Sequence, residues 1–221
     1  MRKTALQKKY DAFVAYFQAH MPMAKSELTY RNPYELLVAV MLSAQCTDKR
    51  VNMTTPALFE RYPNPEQMAA STTEEILGYI KSISYPNSKA EHLLGMAQAL
   101  VRDFGGVVPQ TLEELQRLPG VGRKTANVMM AVAFGKPAMP VDTHVFRVAN
   151  RVGLTQNAKN VLETEKTLVS HFPEAVLADA HHWLILHGRY VCQARKPLCE
   201  QCGIREICDD HQKRMGKKCH N

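Results

Sequence analysis

The sequence predicts an all-α protein with one or two domains, and three observations support that prediction. Apolar residues recur every three to four positions along most of the 221 residues, which is the spacing of amphipathic helices. Short connections rich in Pro and Gly separate these segments, and no set of alternating strands, internal repeat or low-complexity linker interrupts them. A hydrophobic content of 45% is enough for one large domain or two small ones, each with its own core.

The first clear helix is predicted from its start and its apolar face. Pro33 follows the cap residue Asn32, and the apolar residues at 36, 37, 40 and 41 fall on one side. A second apolar face runs from Leu93 to Phe104 and stops at Gly105. Further helices are expected at residues 5–19, 48–61, 73–82, 112–118, 123–134, 143–152, 160–171 and 175–188. From about Tyr190 onward the helical period is lost, so a hydrophobic core alone cannot order the cysteine-rich end.

Positive charge is concentrated at the two ends of the chain. The net charge of +7 and the pI near 9.1 suggest a polyanionic partner, although a basic protein can equally just be soluble. Residues 1–10 carry four Lys or Arg and no acid, and residues 188–221 carry eight against four acids. The remaining residues carry 16 basic and 17 acidic side chains. A nucleic acid would therefore be held by a few well-placed central groups, while the ends add attraction that salt weakens.

Signals of secretion and membrane insertion are missing from the sequence. No apolar stretch follows the basic residues at 1–9, and no later run approaches about 18 uninterrupted apolar residues. Six cysteines are few for a disulfide scaffold, and four of them lie between Cys192 and Cys208, as metal ligands would. We therefore expect a monomer in the cytoplasm or an equivalent reducing compartment, at the nucleoid in a bacterium, with no membrane partner.

The segment at residues 118–126, LPGVGRKTA, joins two predicted helices through a glycine-rich turn. Gly120 and Gly122 allow a tight turn whose N–H groups, with those of Val121 and the helix beginning near Arg123, would form a nest for an anion. A DNA phosphate suits such a nest without any side-chain charge. An ordinary helix-helix turn is the alternative for an isolated Gly-x-Gly.

Lys124 and Asp142 are the two candidate catalytic residues. Lys124 lies in the first turn of a helix, where the helix dipole disfavours a protonated amine and should lower the pKa of this lysine. A neutral amine is a nucleophile, whereas a solvated surface lysine is the alternative. Asp142, in the string MPVDTHVFR, can cap a helix starting at Thr143, and capping by itself explains an aspartate there.

Four cysteines form the densest cluster of metal-binding side chains, with the spacing C-x6-C-x2-C-x5-C: Cys192, Cys199, Cys202 and Cys208. Four thiolates suit zinc or an iron-sulfur cluster, and spacing alone does not choose between them. Typical zinc modules pair two short C-x2-4-C knuckles, and this chain has one such pair. Cys46, in an apolar helix, and Cys219, near the terminus, are left out of the ligand set. A second metal site is not favoured at His181, His182 and His187, because no matching carboxylate accompanies them.

Three strings together resemble the endonuclease III branch of the helix-hairpin-helix DNA glycosylases. The hairpin matches the family pattern apolar-Pro-Gly-Val-Gly-x-x-Thr-Ala, the cysteine spacing matches its cluster motif, and MPVDTHVFR matches the string around its aspartate. The resemblance covers about residues 5–210. It implies a 4Fe-4S cluster and two helical lobes with DNA in the cleft between them. One lobe would be a helical barrel at about 26–136, and the other would combine 1–25 with 137–221.

The resemblance also implies roles for single residues. Lys124 matches the catalytic lysine that attacks the sugar carbon C1′, expels the damaged base and leaves a Schiff base for β-elimination. Asp142 would stabilise positive charge on the sugar or help deprotonate the amine, in addition to capping. Gln45 would fill the gap left by the rotated nucleotide, and a helix-end amide that caps the backbone is its alternative. Support or phosphate contacts are expected of His144 and Arg147, and phosphate contacts of Arg195 and Lys196.

The wedge that accompanies Gln45 is expected within residues 83–90, ISYPNSKA, with Ile83 and Tyr85 as its DNA contacts. Here the sequence reads Ser-Tyr-Pro-Asn where the family more commonly has Gly-Leu-Tyr-Asn. Tyr85 can stack on a base, and Pro86 stiffens the loop. This departure bears on lesion preference and opposite-base recognition, and it leaves the chemistry unchanged.

Three functions are compatible with this reading. The first is a bifunctional glycosylase and AP lyase that removes oxidised pyrimidines from double-stranded DNA containing damaged bases or abasic sites. The second is a monofunctional mismatch glycosylase, which the presence of Lys124 disfavours. Ala39 also disfavours it, because the adenine-mismatch relatives carry a catalytic glutamate at that position. The third is a non-catalytic iron-sulfur protein that binds DNA.

Overall fold

The computed structural model describes residues 3–22 and 26–218, and these residues form helices joined by short loops. No strand occurs within the described ranges, and the prediction of an all-α fold is confirmed. The helices are α1 (Ala5–His20), α2 (Pro33–Ser43), α3 (Asp48–Arg61), α4 (Pro65–Ala69), α5 (Thr73–Ile80), α6 (Pro86–Phe104), α7 (Leu112–Leu115), α8 (Arg123–Val128), α9 (Thr143–Val152), α10 (Val161–His171), α11 (Leu177–Tyr190) and α12 (Asp209–Lys218). None of the helices in the described part is long and apolar enough to cross a membrane.

The chain divides into two compact units. The central unit is Ser26–Lys136, and the terminal unit combines Met1–Lys25 with Pro137–Asn221. Each unit has a hydrophobic core of its own.

Helix α2 is the most buried element of the central unit. Residues 34–42 are all buried, because this helix is apolar around almost its whole circumference. Its start follows the sequence prediction, since the Asn32 side chain accepts a hydrogen bond from the Glu35 N–H at 2.9 Å and Pro33 is the first helical residue. Glu35 is itself buried, and its carboxylate pairs with the Arg31 guanidinium at 2.6 Å.

Helices α6 and α8 differ in part from their predictions. Helix α6 begins at Pro86, before the apolar face that starts at Leu93, and it ends as predicted at Gly105 in the left-handed conformation. The helix predicted at 123–134 is an α-helix only up to Val128 and continues as a π-helical turn over Met129–Ala133. The hydrophobic period of the sequence does not reveal that change.

The terminal unit packs α1 against the C-terminal helices. Aromatic rings fill this core, with Phe17 stacked on Trp183 at 5.8 Å between ring centroids. The Tyr10 hydroxyl donates to the Leu154 carbonyl at 2.8 Å, which satisfies a buried polar group. After α11 the chain forms short 3-10 turns, Cys199–Gln201 and Arg205–Ile207, as expected for a segment without helical period.

Helix α12 corrects the prediction that helical structure ends near Tyr190. Its sequence, DDHQKRMGKK, is polar at almost every position and therefore lacks the apolar stripe by which helices are recognised. Asp209 and Asp210 complement the dipole in the first turn, and Asp210 pairs with Arg214 at 2.8 Å. Cys219 lies outside the described residues.

Candidate functional site

The glycine hairpin between α7 and α8 depends on one glycine for its shape. Gly120 has a φ of +76°, and a Cβ there would lie 2.8 Å from the Cβ of His92. The Val121 N–H donates to the Leu118 carbonyl at 3.1 Å, and the Val121 side chain is buried in the core. The prediction that Val121 belongs to the anion nest is therefore wrong, because its N–H already donates a hydrogen bond inside the turn.

Lys124 is the second residue of α8, and it is exposed. Gly122 is the N-cap of this helix and provides no capping side chain. Ala126, Asn127 and Val128 are buried and anchor the helix in the core of the central unit. The hairpin thus presents the lysine from a short helix that is fixed on its opposite side.

Asp142 caps α9, and this part of its prediction is confirmed. Its Oδ1 atom accepts hydrogen bonds from the His144 N–H at 2.9 Å and from the Val145 N–H at 2.8 Å. The carboxylate is half-buried, and among the described residues Oδ2 accepts no hydrogen bond. His181 supports the preceding backbone through a hydrogen bond of 2.9 Å from Nδ1 to the Pro140 carbonyl.

Arg147 connects α9 to the first cysteine of the cluster motif. Its guanidinium donates to the Gly188 carbonyl at 2.9 Å and to the Cys192 carbonyl at 3.2 Å. His144 lies against the same group, with Nδ1 at 3.1 Å from Nη2 of Arg147. Gly188 allows this close approach, since a Cβ there would lie 2.9 Å from the Cβ of His144. These contacts are of the supporting kind expected for His144 and Arg147.

The four cysteines of the motif line one pocket in the terminal unit. Burial, together with the other three thiols, raises the pKa of Cys202 to about 11. Burial also raises the pKa of Cys208. A bound metal reverses this preference, because a coordinating thiol is deprotonated outright. Without a metal, burial therefore favours the protonated thiols of Cys202 and Cys208.

The four cysteines are a donor set that suits an iron-sulfur cluster. An iron-sulfur cube binds one cysteine at each of four irons, so its ligands surround a body larger than a single ion. Four cysteines around one pocket meet that requirement.

Arg151, which the sequence analysis missed, fixes the loop between the first two cysteines. Its guanidinium donates to the Gln193 carbonyl at 2.7 Å and to the Ala194 carbonyl at 2.8 Å, and lies 3.6 Å from Cys192 Sγ. The next two side chains, Arg195 and Lys196, are exposed. The only signal in the sequence was a second arginine one turn after Arg147 on the same helix face.

Gln45 and Tyr85, the two predicted gap residues, share an unusual backbone conformation in the central unit. Gln45 has a φ of +54° and Tyr85 a φ of +55°, and both side chains are exposed. The Gln45 side chain makes no hydrogen bond with any described residue, which argues against its alternative as a helix-end cap. Ile83 is 2% exposed and packs in the core. The prediction that it contacts DNA is therefore wrong. Tyr85 is the side chain that this loop exposes.

Lys89 provides the cap that Gln45 does not, and the sequence analysis missed it as well. Its Nζ donates to the carbonyls of Leu42 at 2.8 Å and Ala44 at 2.7 Å, at the end of α2. Burial lowers the pKa of this ammonium. Cys46, which follows, packs against the core, as predicted for an unligated cysteine.

The chain is similar to one group of DNA repair proteins along most of its length. Residues 38–174 match the HhH-GPD superfamily of base excision DNA repair proteins, and residues 192–208 match the iron-sulfur binding domain of endonuclease III. Endonuclease III of Rickettsia felis is 49% identical over 87% of this chain and 90% of that protein. Endonuclease III of Bacillus subtilis is 48% identical over 89% of this chain and 90% of that protein. A solved structure of a trapped endonuclease III–DNA covalent intermediate matches with a TM-score of 0.89 at 42% identity, covering 97% of this chain and 100% of that one.

Proposed function

Since the chain belongs to the endonuclease III family of the HhH-GPD superfamily, we propose that Lys124 is its nucleophile and Asp142 the carboxylate that assists it. The protein is a base excision repair enzyme, a DNA glycosylase with AP lyase activity, and it contains a 4Fe-4S cluster. The observation that carries the assignment is the position of Lys124, exposed two residues after the hairpin glycine Gly122.

The proposed reaction begins with attack by the neutral amine of Lys124 on the sugar carbon C1′. The bond from C1′ to the base breaks, and the base leaves with the electron pair and takes up a proton. The attached nitrogen gives up one proton, the ring oxygen O4′ takes one up as its bond to C1′ breaks, and the ring opens to a Schiff base that keeps the second proton. Loss of a proton from C2′ then expels the 3′ phosphate by β-elimination.

Asp142 is proposed to assist this chemistry with the oxygen that capping leaves available. Oδ1 accepts two backbone N–H groups, whereas Oδ2 accepts none from the described residues. A carboxylate held in this way stabilises positive charge that develops on the sugar without having to reorient. Capping and catalysis thus use different atoms of the same side chain.

The protein binds DNA, and we propose double-stranded DNA with an oxidised pyrimidine or an abasic site as its substrate. Gln45 and Tyr85 are exposed on strained backbone and are suited to fill the gap left by an extruded nucleotide. Phosphate contacts are assigned to the hairpin at Gly120 and Gly122 with Arg123, to Arg195 and Lys196 and, beyond the supporting contacts already described, to His144 and Arg147. We further propose that the enzyme acts as a monomer in the cytoplasm.

The cluster would be held by Cys192, Cys199, Cys202 and Cys208. Its proposed contribution is structural, because cleavage of the base-sugar bond and β-elimination require no electron. When bound, it fixes both ends of the loop that carries Arg195 and Lys196. A fixed loop loses less conformational entropy when it contacts phosphate.

Borohydride trapping tests Lys124. Reduction of the Schiff base should yield a covalent adduct between the wild-type enzyme and DNA containing thymine glycol or an abasic site. Lys124→Ala should give no adduct, since the proposed nucleophile is missing. Lys81→Ala, at an exposed lysine of the same unit, is the matched control and should trap like the wild type. An adduct that persists in Lys124→Ala would refute the assignment.

Substitution of Asp142 by asparagine separates its two proposed roles. Asparagine caps a helix about as well as aspartate but has no charge. Asp142→Asn should therefore keep the melting temperature and lose on the order of 100-fold or more in single-turnover excision. Asp142→Ala should in addition lose about 0.5–2 kcal/mol of stability. Wild-type excision by Asp142→Asn would mean that this residue is a cap alone.

A further inference from the structure

The central unit contains one buried cation for which the proposed chemistry has no use. Lys89 lies in the first turn of α6 and is 8% exposed. Its ammonium donates to the carbonyls of Leu42 and Ala44 at 2.8 and 2.7 Å. Carbonyls at the end of a helix lack intrahelical partners and carry the negative end of its dipole. A side chain from α6 therefore caps α2.

The same residue is also bonded to the second gap loop. The Lys89 N–H donates to the Tyr85 carbonyl at 3.2 Å, which forms the first turn of α6. Ala44, whose carbonyl receives the ammonium, immediately precedes Gln45. Lys89 thus joins the backbone that presents Gln45 to the backbone that presents Tyr85.

Both of these backbones are strained. Among the described residues of the central unit, Gln45 and Tyr85 are the only ones other than glycine with a positive φ. The left-handed conformation is costly for residues with a side chain, and it persists only where surrounding contacts hold it. Lys89 hydrogen-bonds to the carbonyl of Ala44, next to Gln45, and to the carbonyl of Tyr85 itself. These two hydrogen bonds are suited to keeping both backbones in place.

We propose that Lys89 is a positioning residue that keeps Gln45 and Tyr85 at a fixed separation, so that both side chains enter the DNA stack together. The proposal rests on the proposed function, in which these two residues fill the gap left by the extruded nucleotide. Lys89 acts through them and touches no DNA, because its ammonium is engaged by two carbonyls. These hydrogen bonds already order the two loops in the free enzyme. The loops therefore lose little conformational entropy when DNA binds.

The test compares Lys89→Met with Lys81→Met in the otherwise intact holoenzyme. Methionine keeps the length of the apolar stem and removes the donors. Lys81 is exposed in the same unit, so its variant loses the same charge without losing the bridge. Two substrates separate gap filling from chemistry. A duplex with paired thymine glycol requires extrusion and gap filling, and single-stranded DNA with an abasic site requires neither.

Lys89→Met should lose on the order of 10- to 100-fold in single-turnover excision from the duplex, and less than about twofold in borohydride trapping on the single strand. Lys81→Met should match the wild type on both. Equal losses on the two substrates, no loss on the duplex, or an equal loss in Lys81→Met would each overturn the proposal.

A fluorescence measurement gives a readout that needs no catalysis. 2-Aminopurine placed opposite a stable abasic analogue brightens when side chains enter the stack and unstack it. Saturating wild-type protein should raise this fluorescence, and saturating Lys89→Met should not. A rise equal to that of the wild type would overturn the proposal. Failure of wild-type trapping would instead refute the catalytic assignment of Lys124, so the two failures are distinguishable.

A double variant tests whether Lys89 acts through the gap residues. In a Tyr85→Ala background, Lys89→Met should cost less than it does in the wild type, because one of the two side chains that it positions is already missing. Fully additive losses would contradict the mechanism. If Lys89→Met does not fold, Lys89→Arg is measured instead. It keeps donors on a differently shaped head group and should show the same substrate selectivity with a smaller loss.

Discussion

Helix α2 and the segment at residues 192–208 each lead to side chains assigned to DNA, yet different forces order them. Residues 34–42 of α2 are all buried, and burial of each large apolar side chain contributes about 1.5–3 kcal/mol. In the segment at 192–208 only Cys192 and Ile204 are buried, and its regular structure is limited to two 3-10 turns. The first element is ordered by the hydrophobic core, and we expect the second to depend on its proposed cluster ligands.

The loops at the ends of these two elements are nevertheless held by the same kind of contact. Lys89 donates to two carbonyls at the end of α2, and Arg151 donates to the carbonyls of Gln193 and Ala194. In each case a long cation from another helix binds the backbone beside the exposed functional residues. In both regions, hydrogen bonds from a cation on another helix hold the backbone of the loop.

Removal of one proposed cluster ligand should have the largest effect, on the ordering of the segment at residues 192–208. Cys202→Ser should lose the visible absorbance of the cluster, and amides at 192–208 should exchange at rates approaching those of an unfolded chain, because metal binding and folding of such a segment are coupled. Exchange in α2 should not change. Cys46→Ser is the matched control, since Cys46 packs against the core of the central unit and is not one of the proposed ligands, and it should retain the cluster. Protected amides at 192–208 in Cys202→Ser would show that the segment orders without the cluster.

A cavity in α2 should destabilise the central unit. Leu37 is fully buried, and Leu37→Ala should reduce the free energy of unfolding of the central unit by about 2–5 kcal/mol in denaturant titrations. The cluster absorbance should be unaffected under native conditions. Met53→Ala, at a side chain 69% exposed on α3, should change stability by less than about 0.5 kcal/mol. Loss of the cluster in Leu37→Ala would mean that the two units do not depend on separate forces.

The smallest effect is expected from pH, in the terminal unit. Burial lowers the pKa of His182 below its ordinary value of 6.5, and Asp179 opposes part of that shift. Above pH 6.5 the histidine is neutral in both states, so its full contribution to stability is present. As the pH falls below 6.5 the unfolded state takes up the proton more readily, and stability is lost until the folded pKa is passed.

The measurement is the melting temperature as the pH is lowered from 6.5. His182→Gln should reduce the loss of stability over this range relative to the wild type. The exposed His20 provides the matched control, and His20→Gln should leave the pH profile of the wild type unchanged. An identical profile for His182→Gln and the wild type would contradict the assigned cause.

The predictions that depend on neighbouring residues agree with the structure. The bounds of α3 and α9, the caps at Asn32 and Asp142, and the end of α6 at Gly105 all follow from residues within about one turn. The sequence alone therefore determined the fold class, most helix positions and the four cysteines that line one pocket. Helix α12 was missed because its polar sequence gives no period, although its charges stabilise it locally.

Only the tertiary structure decided which side chains hold the site. Lys89 bonds to a carbonyl 45 residues away, and Arg151 to carbonyls 42 and 43 residues away. Backbone carbonyls occur at every residue, so no residue type at the acceptor position reveals such a bond. The burial of Ile83 beside the exposed Tyr85 likewise depends on how their loop packs against the core. Short-range contacts can be predicted from the order of neighbouring residues, whereas these long-range contacts form only when the helices pack.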